Sequence, residues 1–240
     1  MRNVLQVLRA RQLRRYDFDR PEVLRRVVKR LARKRAPSAY STLWTDAVFG
    51  WGNEKWSADE LYLAEVVRSA EVTKGSILEC GSGLTTLLLS AVAARRGLHV
   101  HSLEHNESWH ARVRDTILDM GGTTTTVHLA PLRDFGDYEW YDARLADFPD
   151  DVTLVVCDGP PGSTRGGRSG MLPRMRGKLA TRCTVLLDDI SRPAERALAL
   201  GWSRDSGTVP QMKESKHGFA RVTLTRRDSG SVVPLVQTGV

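Results

Sequence analysis

The sequence predicts an α/β chain with a mostly parallel sheet and helices on both faces, on three observations. From Ile77 onward, short apolar runs rich in β-branched residues alternate with segments of helical period. The first run, Ile77 to Cys80, breaks at Gly81-Ser82-Gly83 directly before an apolar helical pattern, the strand, turn and helix of a ligand-binding βαβ unit. Three of the runs close on a carboxylate, at Glu79, Glu104 and Asp158. Acidic groups therefore gather at the carboxyl ends of the strands, where such sheets bind ligands.

In chain order, residues 1–36 come first and carry thirteen Lys or Arg against three acids. That net of +10 leaves −2 for the rest of a chain whose total is +8. Pro21 suits a first helical turn with Asp19 just ahead, and Val23, Leu24, Val27, Val28 and Leu31 recur at helical spacing, so this is a basic amphipathic helix. It has three uses open to it: packing its stripe on the following domain, meeting an acidic membrane surface, or offering its cations to nucleic acid or a partner protein. Aromatic residues for base stacking are limited to Tyr16 and Phe18, which favours packing. Ala36-Pro37-Ser38 reads as a linker and Thr45 to Trp56 as a Gly and aromatic loop, dividing the chain into an N-terminal extension over 1–56 and an α/β domain over 57–240.

Ser57 to Glu60 reads as a capping box, with Ser57 as N-cap of a helix through Val67. Strands are predicted at 76–80, 99–104, 124–129, 153–157, 184–188 and 219–225, with helices near 84–95, 107–120, 171–181 and 192–200. A chain of 240 residues, 41% hydrophobic, supports one full core plus the extension. No apolar run approaches the length of a membrane span and no uninterrupted apolar segment opens the chain, which predicts a cytoplasmic protein. Cys80, Cys157 and Cys183 are odd in number, lack metal-type spacing and sit in or beside apolar runs, as reduced core thiols do.

Glu79 narrows the ligand class. A carboxylate at that turn repels a pyrophosphate and suits a cofactor with positive charge and no phosphate. Glu104 follows 25 residues later, near the offset of about 20 at which a βαβ unit places a partner for a ribose hydroxyl. The order strand, acid, Gly-x-Gly resembles motif I of the class I S-adenosylmethionine-dependent methyltransferases. That resemblance implies a Rossmann-like methyltransferase fold with a seven-stranded sheet. It also implies S-adenosylmethionine held by Glu79, Gly81, Ser82, Gly83, Thr85, Glu104, His105 and Asp158, with Trp51 and Asn53 covering its methionine end. A dinucleotide oxidoreductase fits poorly, because Thr86 stands where the third glycine belongs.

The run Thr153 to Cys157 closes on Asp158, and Thr184 to Leu187 closes on Asp188-Asp189. As neighbouring strands about 4.8 Å apart, they bring three carboxylates to one edge, where protons or a dication must neutralise them. An all-oxygen cluster suits Mg²⁺. The strand-end Asp followed by Leu-Leu-Asp-Asp resembles the metal-dependent O-methyltransferases of the catechol and macrolide-sugar kind, over roughly Ser57 to Leu224. The tracts Asp-Gly-Pro-Pro-Gly and Asp-Asp-Ile-Ser-Arg-Pro-Ala-Glu are similar to bacterial methyltransferase 24 type domains, and the glucuronoxylan O-methyltransferases are a more distant likeness. These resemblances imply Asp158, Asp188 and Asp189 as ligands of Mg²⁺ or another divalent cation, and O-methylation of a small hydroxylated molecule or sugar. Pro161 stands where the catechol enzymes place a basic Lys. Asp158, His217 and Arg165 then remain as catalytic candidates, and the arginines Arg165, Arg168 and Arg192 suit an anionic acceptor group. Two alternatives stand beside this: the same cofactor without a metal, and a nucleic-acid-associated protein acting through the basic helix.

Overall fold

A computed structural model describes residues 19–225, so Tyr16 and Phe18 lie outside the described residues. Helix α1 (Arg20–Leu31) starts where the Asp19 side chain accepts from the Glu22 N–H, with Pro21 in the first turn. Its stripe of Val23, Leu24, Val27, Val28 and Leu31 is buried, while Arg25, Arg26 and Lys29 are exposed. The stripe is packed into the protein's own core.

The predicted loop over Thr45 to Trp56 is corrected, because its first half is helical in α2 (Thr42–Trp51). Ser41 caps α2 by accepting from the Leu43 N–H, and Gly52, at φ +71°, ends it. Trp44, Ala47, Val48 and Trp51 bury one face at helical spacing, a period masked in the sequence by Phe49 and Gly50. Gly50 permits close approach of α1, since a Cβ there would lie 2.7 Å from the Leu24 nitrogen. The predicted cap of the next helix is also corrected. In α3 (Glu60–Val72) the N-cap is Asp59, which accepts from the N–H groups of Leu61 and Tyr62 at 3.0 Å each, while Ser57 donates back to the Asn53 carbonyl at 2.8 Å.

The alternating region follows as β1 (Ile77–Cys80), α4 (Leu84–Arg96), β2 (Val100–Glu104), α5 (Glu107–Asp119) and β3 (Thr125–Leu129). A hairpin, β4 (Leu132–Asp134) with β5 (Glu139–Tyr141), intervenes before β6 (Val152–Cys157). Then come α6 (Met171–Met175), β7 (Leu179–Asp188), α7 (Pro193–Asp205), β8 (Gln211–Lys213) and β9 (Phe219–Thr225). The helix predicted over 171–181 is therefore cut to five residues, and β7 takes over at Leu179, burying Leu179 and Cys183 on the sheet.

The main sheet has seven strands in the order β3-β2-β1-β6-β7-β9-β8, with β9 antiparallel to both neighbours and the other pairings parallel. One face is covered by α1 to α5 around Trp44, Tyr62 and Leu88, the other by the hairpin, α6 and α7 around Trp140, Met171 and Trp202. The chain leaves β1 toward β2 and β3 on one side, while β6 leads to β7 on the other. Such a reversal opens a crevice at the carboxyl ends of β1 and β6. The β6 and β7 register pairs Cys157 with Leu187, so Asp158 and Asp188 leave adjacent tips as predicted. All three cysteines are buried and free. Among the described residues no helix is long and apolar enough to cross a membrane.

Candidate active site

The turn after β1 shapes the crevice. Gly81 has φ +89°, and a Cβ there would lie 2.8 Å from the Gly159 nitrogen, so the β1 and β6 tips meet backbone to backbone. Beyond the turn, Gly83 opens α4 with no side-chain cap, leaving the positive end of a 13-residue helix facing a hollow of about 690 Å³. Every residue predicted to touch the cofactor lines this hollow except Glu79.

Glu79 requires correction. It is fully buried beneath the turn, where its Oε2 accepts from Thr86 Oγ1 at 2.6 Å and Ser102 Oγ at 2.5 Å, while Oε1 has no hydrogen-bond partner among the described residues. Burial pushes its carboxyl up to about 7, against the hydroxyl donors that work the other way. The residue ties β1, β2 and α4 together and does not present its carboxylate to the hollow. Gly83 and Thr85 line the wall there, and Glu79 does not.

Glu104 does face the hollow. One oxygen accepts from the Ser82 N–H at 3.2 Å and Ser82 Oγ at 2.8 Å, the other from the Asn106 N–H at 2.8 Å, and His105 Nδ1 lies 3.2 Å away. Burial alone would raise its carboxyl, but the donors from His105, Asn106 and Ser82 outweigh burial and hold it below the usual carboxylate value. The turn and the β2 tip thus form one hydrogen-bonded unit with a charged acid at its centre.

Trp51 and Asn53 border the opposite wall. Trp51 is the last residue of α2, buried, edge-on to Trp109 at 5.6 Å and under the Arg112 guanidinium at 4.7 Å. It is a fixed wall where a covering loop was predicted. Asn53 lies beyond the helix end, in the segment that also carries the exposed Trp56.

At the β6 and β7 tips, Asp158, Asp188 and Asp189 converge, with one ligand oxygen from each within 4.8 Å of the others. Arg168 lies among them, 1% exposed. Its Nη2 donates to Asp189 Oδ2 at 2.8 Å, to Asp158 Oδ1 at 3.2 Å and to the Asp158 carbonyl, and its Nη1 donates to the Asp188 carbonyl. Arg192 adds a second cation 3.0 Å from Asp189 Oδ2. Asp189 holds φ at +61°, a region Asp tolerates, with its carboxylate gripped by both arginines. Burial raises the Asp158 and Asp188 carboxyls, opposed by Arg168 in both cases. The convergence matches what the sequence implied, but the arrangement does not fit Mg²⁺. Two of the three carboxylates are already engaged by a buried guanidinium, and Mg²⁺ demands near-octahedral oxygens at about 2.0–2.1 Å.

His217 lines the hollow from the turn before β9, its N–H 3.5 Å from Asp59 Oδ2. Arg165 is not brought to the hollow, a correction to its catalytic candidacy. It is exposed in the loop after β6, paired with Asp134 of β4, its N–H donating to Glu139 Oε2 of β5 at 3.2 Å. Sequence reading missed Tyr141, which lines the hollow with a buried hydroxyl lacking a hydrogen-bond partner among the described residues. It also missed Trp109, whose Nε1 donates to the Ser82 carbonyl at 2.8 Å. The β-favouring Glu-Trp-Tyr after Gly136 was the available signal for Tyr141. For Trp109 it was an aromatic in the first turn of the helix after Glu104.

No family model matches the sequence, and no curated protein does. Solved structures match well beyond chance in shape. Precorrin-6Y C5,15-methyltransferase from Geobacter metallireducens GS-15 aligns with a TM-score of 0.52 at 15% identity, over 71% of this chain and 90% of that one. The chain has the Rossmann-like methyltransferase fold. The SAH-bound Podospora anserina methyltransferase PaMTH1 shares this fold with a TM-score of 0.51 at 16% identity, over 84% of this chain and 94% of that one. The N-terminal domain of human METTL16, in complex with SAH, shares it with a TM-score of 0.51 at 13% identity, over 77% and 83%.

Proposed function

We propose that this chain transfers a methyl group from S-adenosylmethionine to a hydroxyl oxygen of a small molecule or sugar. The observation that carries the reading is the unit of Glu104 and the Gly81-Ser82-Gly83 turn, facing the same hollow as the uncapped start of α4. Glu104 offers carboxylate oxygens to the ribose hydroxyls, and the N–H groups at the start of α4 suit the methionyl carboxylate. Asp158, across the Gly81 and Gly159 contact, offers negative charge to the cationic end of the donor. A hollow of about 690 Å³ lies within the range of small-molecule sites.

In the step itself, an acceptor oxygen lone pair forms the new C–O bond in line with the departing sulfur. The C–S bond breaks, its electron pair returns to sulfur, and the hydroxyl proton leaves to a carboxylate. Asp158 is placed for that proton. About a quarter of its side chain stays exposed, and burial raises its carboxyl, which makes it a better proton acceptor than a free aspartate. His217 stands on the rim as a second proton acceptor. Most of the rate comes from holding oxygen, carbon and sulfur in line. No step passes through a divalent ion.

The test supplies methyl-labelled S-adenosylmethionine with catechols, other phenols and free sugars, in the presence of a chelator. Label should appear as a methyl ether in the small-molecule fraction. Label transferred only to nucleic acid or protein, or to nitrogen in place of oxygen, would overturn the acceptor assignment.

A further inference from the structure

Three carboxylates packed within 4.8 Å need positive charge, and the fold supplies it from its own chain. We propose that Arg168 is the resident cation of the Asp158, Asp188 and Asp189 cluster, and that removing its charge converts the cluster into a divalent-cation site. This goes beyond the reaction proposed above and does not depend on it, because it concerns what neutralises the cluster whatever the hollow binds.

Arg168 is held by ionic and main-chain contacts together. It comes from the Gly-rich stretch after Pro161, yet its side chain is fully buried between the β6 and β7 tips. Two of its contacts go to carboxylates, Asp158 and Asp189, and two go to main-chain carbonyls, those of Asp158 and Asp188. The carboxylate contacts cancel charge. The carbonyl contacts use the fixed fork of the guanidinium to tie together the ends of two parallel strands. A guanidinium stays charged at any working pH, so it cannot make room for a metal by losing a proton. A dication entering the cluster would face Arg168 in contact and Arg192 at 3.0 Å from Asp189. It would also have to take oxygens already bonded, Asp158 Oδ1 to Arg168 and Asp189 Oδ2 to both. Asp188 is the exception that makes the proposal testable, for its Oδ1 has no hydrogen-bond partner among the described residues and is free to join a ligand set once the guanidinium is gone.

The experiment is a titration of Mn²⁺, read as loss of the free-ion magnetic resonance signal, into wild-type protein, Arg168→Met and the double variant Arg168→Met with Asp188→Asn. Methionine keeps the length and bulk of the arginine stem without its charge. Wild type should leave Mn²⁺ free up to on the order of 1 mM, Arg168→Met should take up one equivalent at least about tenfold more tightly, and adding Asp188→Asn should abolish the gain. Thermal unfolding checks that each variant is folded. Should Arg168→Met fail to fold, Arg168→Gln, which retains a donor for the carbonyls, is read in the same way. One Mn²⁺ bound by wild type as tightly as by Arg168→Met would overturn the proposal, as would a folded Arg168→Met or Arg168→Gln that binds none. The readout is metal binding alone, so absence of methyl transfer does not affect it.

Discussion

At the β2 tip, a single carboxylate, Glu104, is held by neutral donors from Ser82 and Asn106, with His105 beside it. At the β6 and β7 tips three carboxylates converge, those of Asp158 and Asp189 held by a buried guanidinium and that of Asp189 by a second arginine as well. Neutral donors stabilise the charge of Glu104 without cancelling it, and its carboxyl stays below the ordinary value. Arginines cancel the charge of the Asp cluster and fix the strand ends. The first half keeps its negative potential, whereas the second is closer to balance and, on the proposed function, leaves Asp158 to face the donor and take the proton. Carboxylates thus differ in charge balance within one hollow, according to what donates to them.

The largest expected effect lies where the halves meet. Gly81→Val puts a β-branched side chain at φ +89° against Gly159. It should cost about 2–5 kcal/mol of stability from backbone strain and overpacking, and remove detectable cofactor binding. Denaturant unfolding and calorimetry check both.

Glu79 gives a pH signature on the first half. Burial raises its carboxyl to about 7, so the folded protein binds this proton more tightly than the unfolded chain. The contribution is therefore complete below about pH 4.5 and is lost as pH rises through about 7. Glu79→Gln keeps an acceptor for Thr86 and Ser102 and should be more stable than wild type at pH 8 by on the order of 2–3 kcal/mol, with the gain gone at pH 4.5. A pH-independent difference would mean that Glu79 is not held as described.

A paired substitution then sharpens the contrast between the halves. Glu104→Ala should weaken S-adenosylmethionine binding by about 10- to 100-fold, as expected for lost hydrogen bonds to a charged group. Asp189→Asn, which suits the same left-handed backbone, should change that affinity by less than about 3-fold while lowering stability by about 1–3 kcal/mol. The reverse pattern would break the comparison. The smallest effect belongs to Arg165→Ala in the exposed loop after β6, which should leave both the denaturant midpoint and the cofactor affinity unchanged.

Strand tips were readable in the sequence because short apolar runs ending in Glu104, Asp158 and Asp188 carry both the sheet and its acids in one pattern. The direction of each side chain was not. Glu79 looked like Glu104, yet its neighbours Thr86 and Ser102 come from separate elements and draw it inward. Three-residue strands such as β4 and β5 are too short for a period to emerge, so Tyr141 went unassigned. Helix α2 is apolar on several faces and interrupted by Gly50, which erased its amphipathic signal. Arg168 sits in a stretch that reads as a flexible basic loop, and only the pairing of β6 with β7 shows what it neutralises.

On the proposed function, the β1 and β2 tips hold a cationic, phosphate-free nucleoside cofactor. Calorimetric titration of S-adenosylmethionine into the purified chain, with chelator present, tests it most directly. One site per chain is expected, weakened in Glu104→Ala and indifferent to added Mg²⁺. Absence of binding by folded wild-type protein, or binding that appears only when Mg²⁺ is supplied, would contradict it.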